Sequence, residues 1–234
     1  MHCTVLWSPP LPDSVRFRDL LSEPELERFE AYRLDADRRR FLTGRVMARH
    51  AVAERTGAAA GDIVLDARCS GCGKHHGKPR VVGTGEQWEL SIAHSGDWVG
   101  VALAKTVQVG LDVEAPAGRS AGSVNGLIDY TLDGYERVSL TAVPDEARER
   151  SFLRYWVRKE AVMKAVGRGL QIPLRGVSVS APWEPPLLRG STDASLHPDR
   201  ISLHDLSGSG DHPASVAVLT TERVTVTERQ WGAR

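Results

Sequence analysis

Two long stretches of helical periodicity, set in a chain that otherwise reads as short apolar runs, constrain this sequence most. Across residues 35–55 the apolar positions Phe41, Leu42, Val46, Met47, Ala51 and Val52 recur at the spacing of one helix face. Arg38, Arg39, Arg40, Arg45 and Arg49 fall between them, which predicts an amphipathic helix with a very basic face. Pro144-Asp145-Glu146 places a proline and two acids where a helix start favours them, and opens a second long helix reaching about Val166. Another helix opens at Glu23, with Ser22 as its N-cap and acids in its first turn.

Short runs at residues 4–7, 63–65, 88–93, 98–105, 108–114, 177–180, 201–206, 214–219 and 224–227 read as strands. Residues 115–124 read as loop, residues 127–140 as helix, and residues 182–188 as a proline-rich connection. The class is α+β, with mixed or antiparallel sheets. Phe41-Leu42-Thr43-Gly44-Arg45-Val46 is echoed by Phe152-Leu153-Arg154-Tyr155-Trp156-Val157, each inside a long helix flanked by strands. Two related parts, residues 1–107 and 108–234, would meet near residues 105–110; from these residues alone, chance similarity explains the echo equally well.

The chain has 234 residues, enough for one large body or two small ones. Lys and Arg total 30 and Asp and Glu total 30, so overall charge gives no reason to expect a nucleic-acid or membrane-surface partner. No window approaches the ~20 apolar residues of a membrane span, and three cysteines do not suit a disulfide framework. The expectation is a soluble, unprocessed, cytoplasmic protein.

Residues 107–114 alternate so that Asp112 and Glu114 point to one face of a strand. Two carboxylates at one place repel, and a hard cation such as Mg²⁺ relieves the repulsion while keeping positions open for a phosphate. A solvated strand end is the plainer account of the same pair. Gly110 marks a close approach to the backbone. Trp156, Glu160 and Lys164 then lie at i, i+4 and i+8 on one helix face, and Gly167-Arg168-Gly169-Leu170 stops that helix with a glycine cap. A core tryptophan beside a surface ion pair would give the same spacing.

Cys69-Ser70-Gly71-Cys72-Gly73-Lys74-His75-His76 has the C-x₂-C spacing of half a zinc site. A tetrahedral site needs two more ligands, of which His75 or His76 supplies one; otherwise the segment is a reduced turn. Cys3 has no evident role.

Taken together, Gly110-Leu111-Asp112-Val113-Glu114 and the set Trp156, Lys159, Glu160, Ala161 and Lys164 resemble the Gly-x-Asp-x-Glu and Trp-x-x-Lys-Glu-(Ala/Ser)-x-x-Lys motifs of the 4′-phosphopantetheinyl transferases of the surfactin-synthetase-activating (Sfp-like) type. Gly77-Lys78-Pro79, Ile92-Ala93-His94-Ser95 and the arginine-rich helix through Gly44-Arg45-Val46-Met47-Ala48-Arg49 follow in the family's order, so the resemblance spans residues 33–170. Ala93 replaces the commoner serine, which removes one hydroxyl from the expected cofactor site.

The resemblance implies a monomer of two similar α/β halves related by a pseudo-twofold, with coenzyme A between them. It implies Mg²⁺ held by Asp112, Glu114 and Glu160, and transfer of 4′-phosphopantetheine to a serine of an apo acyl or peptidyl carrier protein, releasing adenosine 3′,5′-bisphosphate. Nonribosomal peptide or polyketide synthases are the expected systems. Glu160 and Lys164 are the implied catalytic residues. Glu160 takes the serine proton directly or through a water, and Lys164 faces the phosphates. Arg33, Arg40, Arg49, Lys78, Pro79, His94, Lys159 and Lys164 are the implied cofactor contacts, with Arg39 and Arg45 as alternatives. Residues 120–140 are the expected docking surface for the carrier. Two other readings are a non-catalytic carrier-binding protein and a zinc-dependent nucleic-acid module; the intact acids and Lys164 oppose the first, and the balanced charge opposes the second.

Overall fold

The computed structural model of the chain describes residues 1–69, 71–116, 121–167 and 172–232, with the backbone alone for residues 121–125. Its order is β1 (His2–Ser8), α1 (Val15–Arg18), α2 (Glu23–Ala31), α3 (Asp35–Thr56), β2 (Val64–Asp66), β3 (Arg80–Val82), β4 (Trp88–Ser95), β5 (Trp98–Lys105) and β6 (Val109–Val113). There follow α4 (Ala121–Thr131), α5 (Gly134–Thr141), α6 (Asp145–Val166), β7 (Val177–Val179), β8 (Leu188–Ser191), β9 (Ile201–Leu206), β10 (Ala214–Leu219) and β11 (Thr225–Gln230).

The first sheet runs β11-β1-β5-β4 and the second β6-β10-β9. Each contains a strand that precedes a long helix and pairs antiparallel with the later strand of an antiparallel pair: β1 with β5, which pairs with β4, and β6 with β10, which pairs with β9. A small antiparallel pair, β2 with β3 or β7 with β8, sits between helix and sheet strands in each series. The long helices α3 and α6 both end on a left-handed glycine, Gly57 and Gly167, at φ +75° and +70°. The last strand breaks the parallel between the two series: β11 returns to lie parallel beside β1.

The long helices cover their sheets with separate apolar groups. Met47, Ala48, Ala51 and Val52 of α3 pack with Leu90, Val99, Val101 and Leu103, whereas Ala161, Val162 and Ala165 of α6 pack with Val177, Val179, Leu203 and Ala217. A third group joins the sheets, with Val5, Trp7, Ala102 and Ala104 against Val109, Leu111 and Val216. Where β6 passes β4, side chains replace a backbone ladder: the Leu111 N–H donates to Ser91 Oγ at 3.0 Å and the Ala115 N–H to Ser95 Oγ at 3.0 Å. No helix among the described residues is long and apolar enough to cross a membrane.

Three local expectations change. The region expected to be loop up to residue 124 is already helical from Ala121, and the helix expected over residues 127–140 is two helices. Asp133 starts the second by accepting the Glu136 N–H, while the Glu136 carboxylate accepts the Asp133 N–H; that capping box forces a new start. The proline-rich connection ends in β8, whose Leu188 is buried.

Candidate active site

Gly110 decides how closely β6 and α6 approach. A methyl group at this position would overlap the Ala161 carbonyl and the Ala165 nitrogen, so only glycine lets the strand lie against the helix backbone. Two residues on, Asp112 therefore meets the side of α6 that carries Glu160 and Lys164.

Lys164 Nζ lies 2.6 Å from Asp112 Oδ1, and Asp112 Oδ2 is buried with no hydrogen-bond partner. Burial first, and then the neighbouring Glu114 charge, push the Asp112 carboxyl up to about 6 against the pull of Lys164. Burial and the Asp112 charge raise Glu160 in the same way. Lys164 is itself raised: despite the opposing cost of burial, the carboxylates of Asp112, Glu160 and Glu114 hold it charged. Glu114 accepts the Ser95 hydroxyl at 2.9 Å, which ties the acidic cluster to the end of β4.

His94 on β4 continues the site away from the acids. The residue keeps exposed surface, yet partial desolvation first, and then the Lys164 and Arg40 cations, push its ring down to about 4. It lines a cavity of about 160 Å³ whose other walls are Arg28, Tyr32, Phe41, Arg45, His76, Gly77, Pro79 and Ile92. Arg45 is buried in that wall and, although paired with Glu25 through Nε, leaves Nη1 without a partner. Desolvation pulls its guanidinium down to about 10. The Arg45 guanidinium lies 5.2 Å from the centre of the Phe41 ring, so the cavity wall combines a cation with aromatic surface, a lining that suits a planar, anionic ligand.

Residues 108–217 match the 4′-phosphopantetheinyl transferase superfamily, and residues 5–106 match the family 4′-phosphopantetheinyl transferase, N-terminal. The 4′-phosphopantetheinyl transferase HetI of Nostoc is 31% identical over 82% of this chain and 80% of its own length. The chain belongs to the 4′-phosphopantetheinyl transferase superfamily. A phosphopantetheinyl transferase of Thraustochytrium is 29% identical over 91% of the chain and 75% of its own length, and the 4′-phosphopantetheinyl transferase Sfp of Bacillus subtilis is 25% identical over 71% and 69%.

The transferase brings Asp112, Glu114, Glu160 and Lys164 together from β6, the residue just after it, and α6. The carboxylates are hard oxygen donors of the kind that could hold a divalent cation, and the orphaned Oδ2 of Asp112 fits such an ion. They stand more openly than a closed ligand shell: among the described residues, the group of three potential ligands whose donor atoms all lie within 4.8 Å of one another is Cys69, Cys72 and His76.

The expected coenzyme contacts divide. His94 and Pro79 line the cavity, and Arg40 lies beside it, donating to Gly96 O at 2.7 Å and to Asp37. Lys78 spans the two sheet systems, donating to Val109 O at 2.8 Å and Ala165 O at 3.2 Å, and burial lowers it to about 8. Arg33 is exposed between α2 and α3.

Lys159 must be withdrawn from the expected contacts. It has no exposed surface and lies 2.6 Å from the equally buried Glu136, donating also to Thr131 O and Leu174 O. The motif lysine is thus a tie between α4, α5 and α6. Arg49 is withdrawn for a similar reason, because Glu25 on α2 holds it at 2.5 Å in the interior. Arg39, one of the alternatives, is spent on Pro10 O and Leu11 O. The basic face of α3 is therefore largely internal wiring.

Ala93 also needs correction. Its side chain packs in the core with Val109 and Leu111, so a serine hydroxyl there would not face the cavity. The sequence reading missed Arg28, Tyr32 and Phe41 as wall residues; the only signal for them was an aromatic-basic mixture across α2 and α3. It also missed Arg158, fully buried and bidentate on Asp205 at 3.0 and 2.7 Å, which fastens α6 to β9. Residues 168–170, expected beyond the Gly167 cap, and Ser120 of the expected docking surface lie outside the described residues.

Proposed function

We propose that this transferase moves the 4′-phosphopantetheine group of coenzyme A onto a serine hydroxyl of an apo acyl or peptidyl carrier protein, with Mg²⁺ at Asp112, Glu114 and Glu160. The observation that carries the proposal is the Asp112 carboxylate, neutralised by Lys164 on one oxygen and unpartnered on the other in a buried site. A bound Mg²⁺ supplies neutralisation of the charge that builds on the pyrophosphate of the coenzyme.

The protein's own groups account for the rest. Lys164, kept cationic by three carboxylates, presents a point charge to phosphate oxygens. Glu160, directly or through one intervening water, takes the proton of the attacking serine as the oxygen bonds to phosphorus and the bond to adenosine 3′,5′-bisphosphate breaks. The cavity walled by Arg28, Arg45 and the Tyr32 and Phe41 rings offers a site for the base and its neighbouring phosphate. Neutral His94 stands between that site and Lys164 and is free to donate to a phosphate oxygen.

We also read residues 1–107 and 108–234 as two halves related by a pseudo-twofold, supported by the repeated order of strand, long helix, small strand pair and antiparallel pair; β11 is the exception. The carriers we assign are those of nonribosomal peptide or polyketide synthases, following the likeness of the motifs to the Sfp-like type, with the enzyme acting as a cytoplasmic monomer. Incubation with coenzyme A, Mg²⁺ and a panel of apo carrier proteins, followed by weighing the products, tests the function. A carrier heavier by one phosphopantetheine only when Mg²⁺ is present is the expected result; no mass gain on any carrier would count against it.

A further inference from the structure

The Cys69, Cys72 and His76 group lies apart from the carboxylates and plays no part in the transfer chemistry above. Its donor atoms all fall within 4.8 Å of one another, with Cys72 Sγ 2.9 Å from His76 Nε2. We propose that these three side chains bind one zinc ion, with solvent in the fourth position, and that the ion fixes the loop forming one wall of the cavity.

The chain is already bent for such a site. The Gly73 N–H donates to Cys69 O at 2.8 Å, the Cys69 N–H donates to Lys74 O at 2.8 Å, and Gly73 takes φ +72°, a left-handed conformation that glycine adopts without strain. Neither cysteine is in a disulfide, and Cys72 and His76 are exposed, so an ion can enter. Ser70 lies outside the described residues.

The donor chemistry selects the ion. Two sulfurs and one imidazole nitrogen form a soft to borderline set that takes zinc in preference to magnesium or calcium, whereas the oxygen donors at Asp112 have the opposite preference. Binding displaces one proton from each thiol and uses the lone pair of the neutral imidazole. One protein can thus keep two different metals at two sites.

The site also explains how an exposed loop can serve as a cavity wall. His76, Gly77 and Pro79 line the cavity, yet residues 71–76 are exposed and bury no apolar side chain that would hold them. Arg28 Nη1 donates to His75 O at 3.1 Å, and the Gly77 N–H donates to Ala67 O at 2.7 Å. The His76 N–H donates to Lys74 O at 3.0 Å, a bond within the same exposed turn, and a metal bound to the His76 ring would fix that side chain in the cavity wall.

The test uses the full chain, reduced and dialysed against metal-free buffer, then titrated with zinc in competition with a colorimetric chelator and separately with cobalt. The wild-type protein and Asp112→Ala are expected to bind one zinc each at this site, and cobalt should give thiolate charge-transfer bands with tetrahedral visible bands. Cys69→Ser/Cys72→Ser should lose the zinc and the bands, and His76→Gln should weaken binding at least tenfold. Hydrogen exchange across residues 71–79 should slow on zinc addition in the wild type and not in the double variant. Circular dichroism of the variants without metal checks that they remain folded. The proposal is overturned if the wild type binds no zinc, if its cobalt complex lacks thiolate bands, if the folded double variant keeps the full equivalent, or if zinc leaves exchange in the loop unchanged. Buried Cys3 does not confuse the readout, since burial pushes its thiol up to about 12.

Discussion

The ammonium of Lys164 touches one oxygen of Asp112 at 2.6 Å, while the second oxygen of the same carboxylate is buried and unpartnered. Lys164 is therefore the internal counter-charge of this carboxylate, and it satisfies only half of its partner.

Replacing that counter-charge should be visible in the metal's effect on stability. Lys164→Met leaves Asp112 unpaired. The cost should be on the order of 1–3 kcal/mol, below the figure for a fully buried pair because the Lys164 side chain is 34% exposed. Thermal unfolding with and without Mg²⁺ should show a larger Mg²⁺-induced rise in Tm for the variant than for the wild type. An equal rise in both would remove Lys164 from this role.

The buried pair Lys159–Glu136 should behave as structure and not as a coenzyme contact. Lys159→Met should cost about 3–5 kcal/mol by stranding Glu136, whereas Lys159→Met/Glu136→Leu should cost less than either single change. Denaturant unfolding gives the cycle. Calorimetry on the folded variants should find coenzyme A affinity within a few-fold of wild type; a loss of a hundredfold in a stable variant would restore Lys159 to the binding site.

Two glycines make a contrasting pair. Gly110→Ala forces a methyl group into the α6 backbone and should cost more than about 2 kcal/mol, with loss of activity because β6 moves from Glu160. Gly126→Ala meets nothing within 4 Å on α4 and should stabilise by up to about 1 kcal/mol. Chemical denaturation of both variants settles the comparison, and similar stability changes would contradict the packing described for β6.

How much of this was legible in the sequence depends on the range of the contacts. Asp112 and Glu114 are two apart at a strand end, and Glu160 and Lys164 are four apart on a helix, so local periodicity was enough to align them. The long helices were equally readable, since each carries several turns of consistent pattern. What periodicity could not report was the partner across the fold. Glu25 captures Arg49 from another helix and Glu136 captures Lys159, so two basic residues that read as coenzyme contacts are internal, and the Asp205 partner of Arg158 gave no local signal at all. The start of α4 was hidden by a glycine- and serine-containing stretch, and β8 by its four-residue length.

His94 offers a pH test of the link between the cavity and the acids. Its folded pKa of about 4 lies below the ordinary 6.5, so between these values the unfolded chain takes up a proton that the folded chain refuses. Its contribution therefore lowers stability as pH falls through that window. An NMR titration of the His94 ring should give a midpoint near 4, moving upward in Lys164→Met because a neighbouring cation is gone. A midpoint near 6.5 in the wild type would mean that the ring feels neither its enclosure nor Lys164.

The most direct test of the central claim is mass spectrometry of an apo carrier protein after incubation with coenzyme A, with and without Mg²⁺, using wild type, Asp112→Ala and Glu160→Gln. The wild type should add one phosphopantetheine in a Mg²⁺-dependent reaction, and both variants, folded by circular dichroism, should add essentially none. Normal Mg²⁺-dependent labelling by both variants would contradict the assignment of the Asp112, Glu114 and Glu160 cluster as the reactive centre.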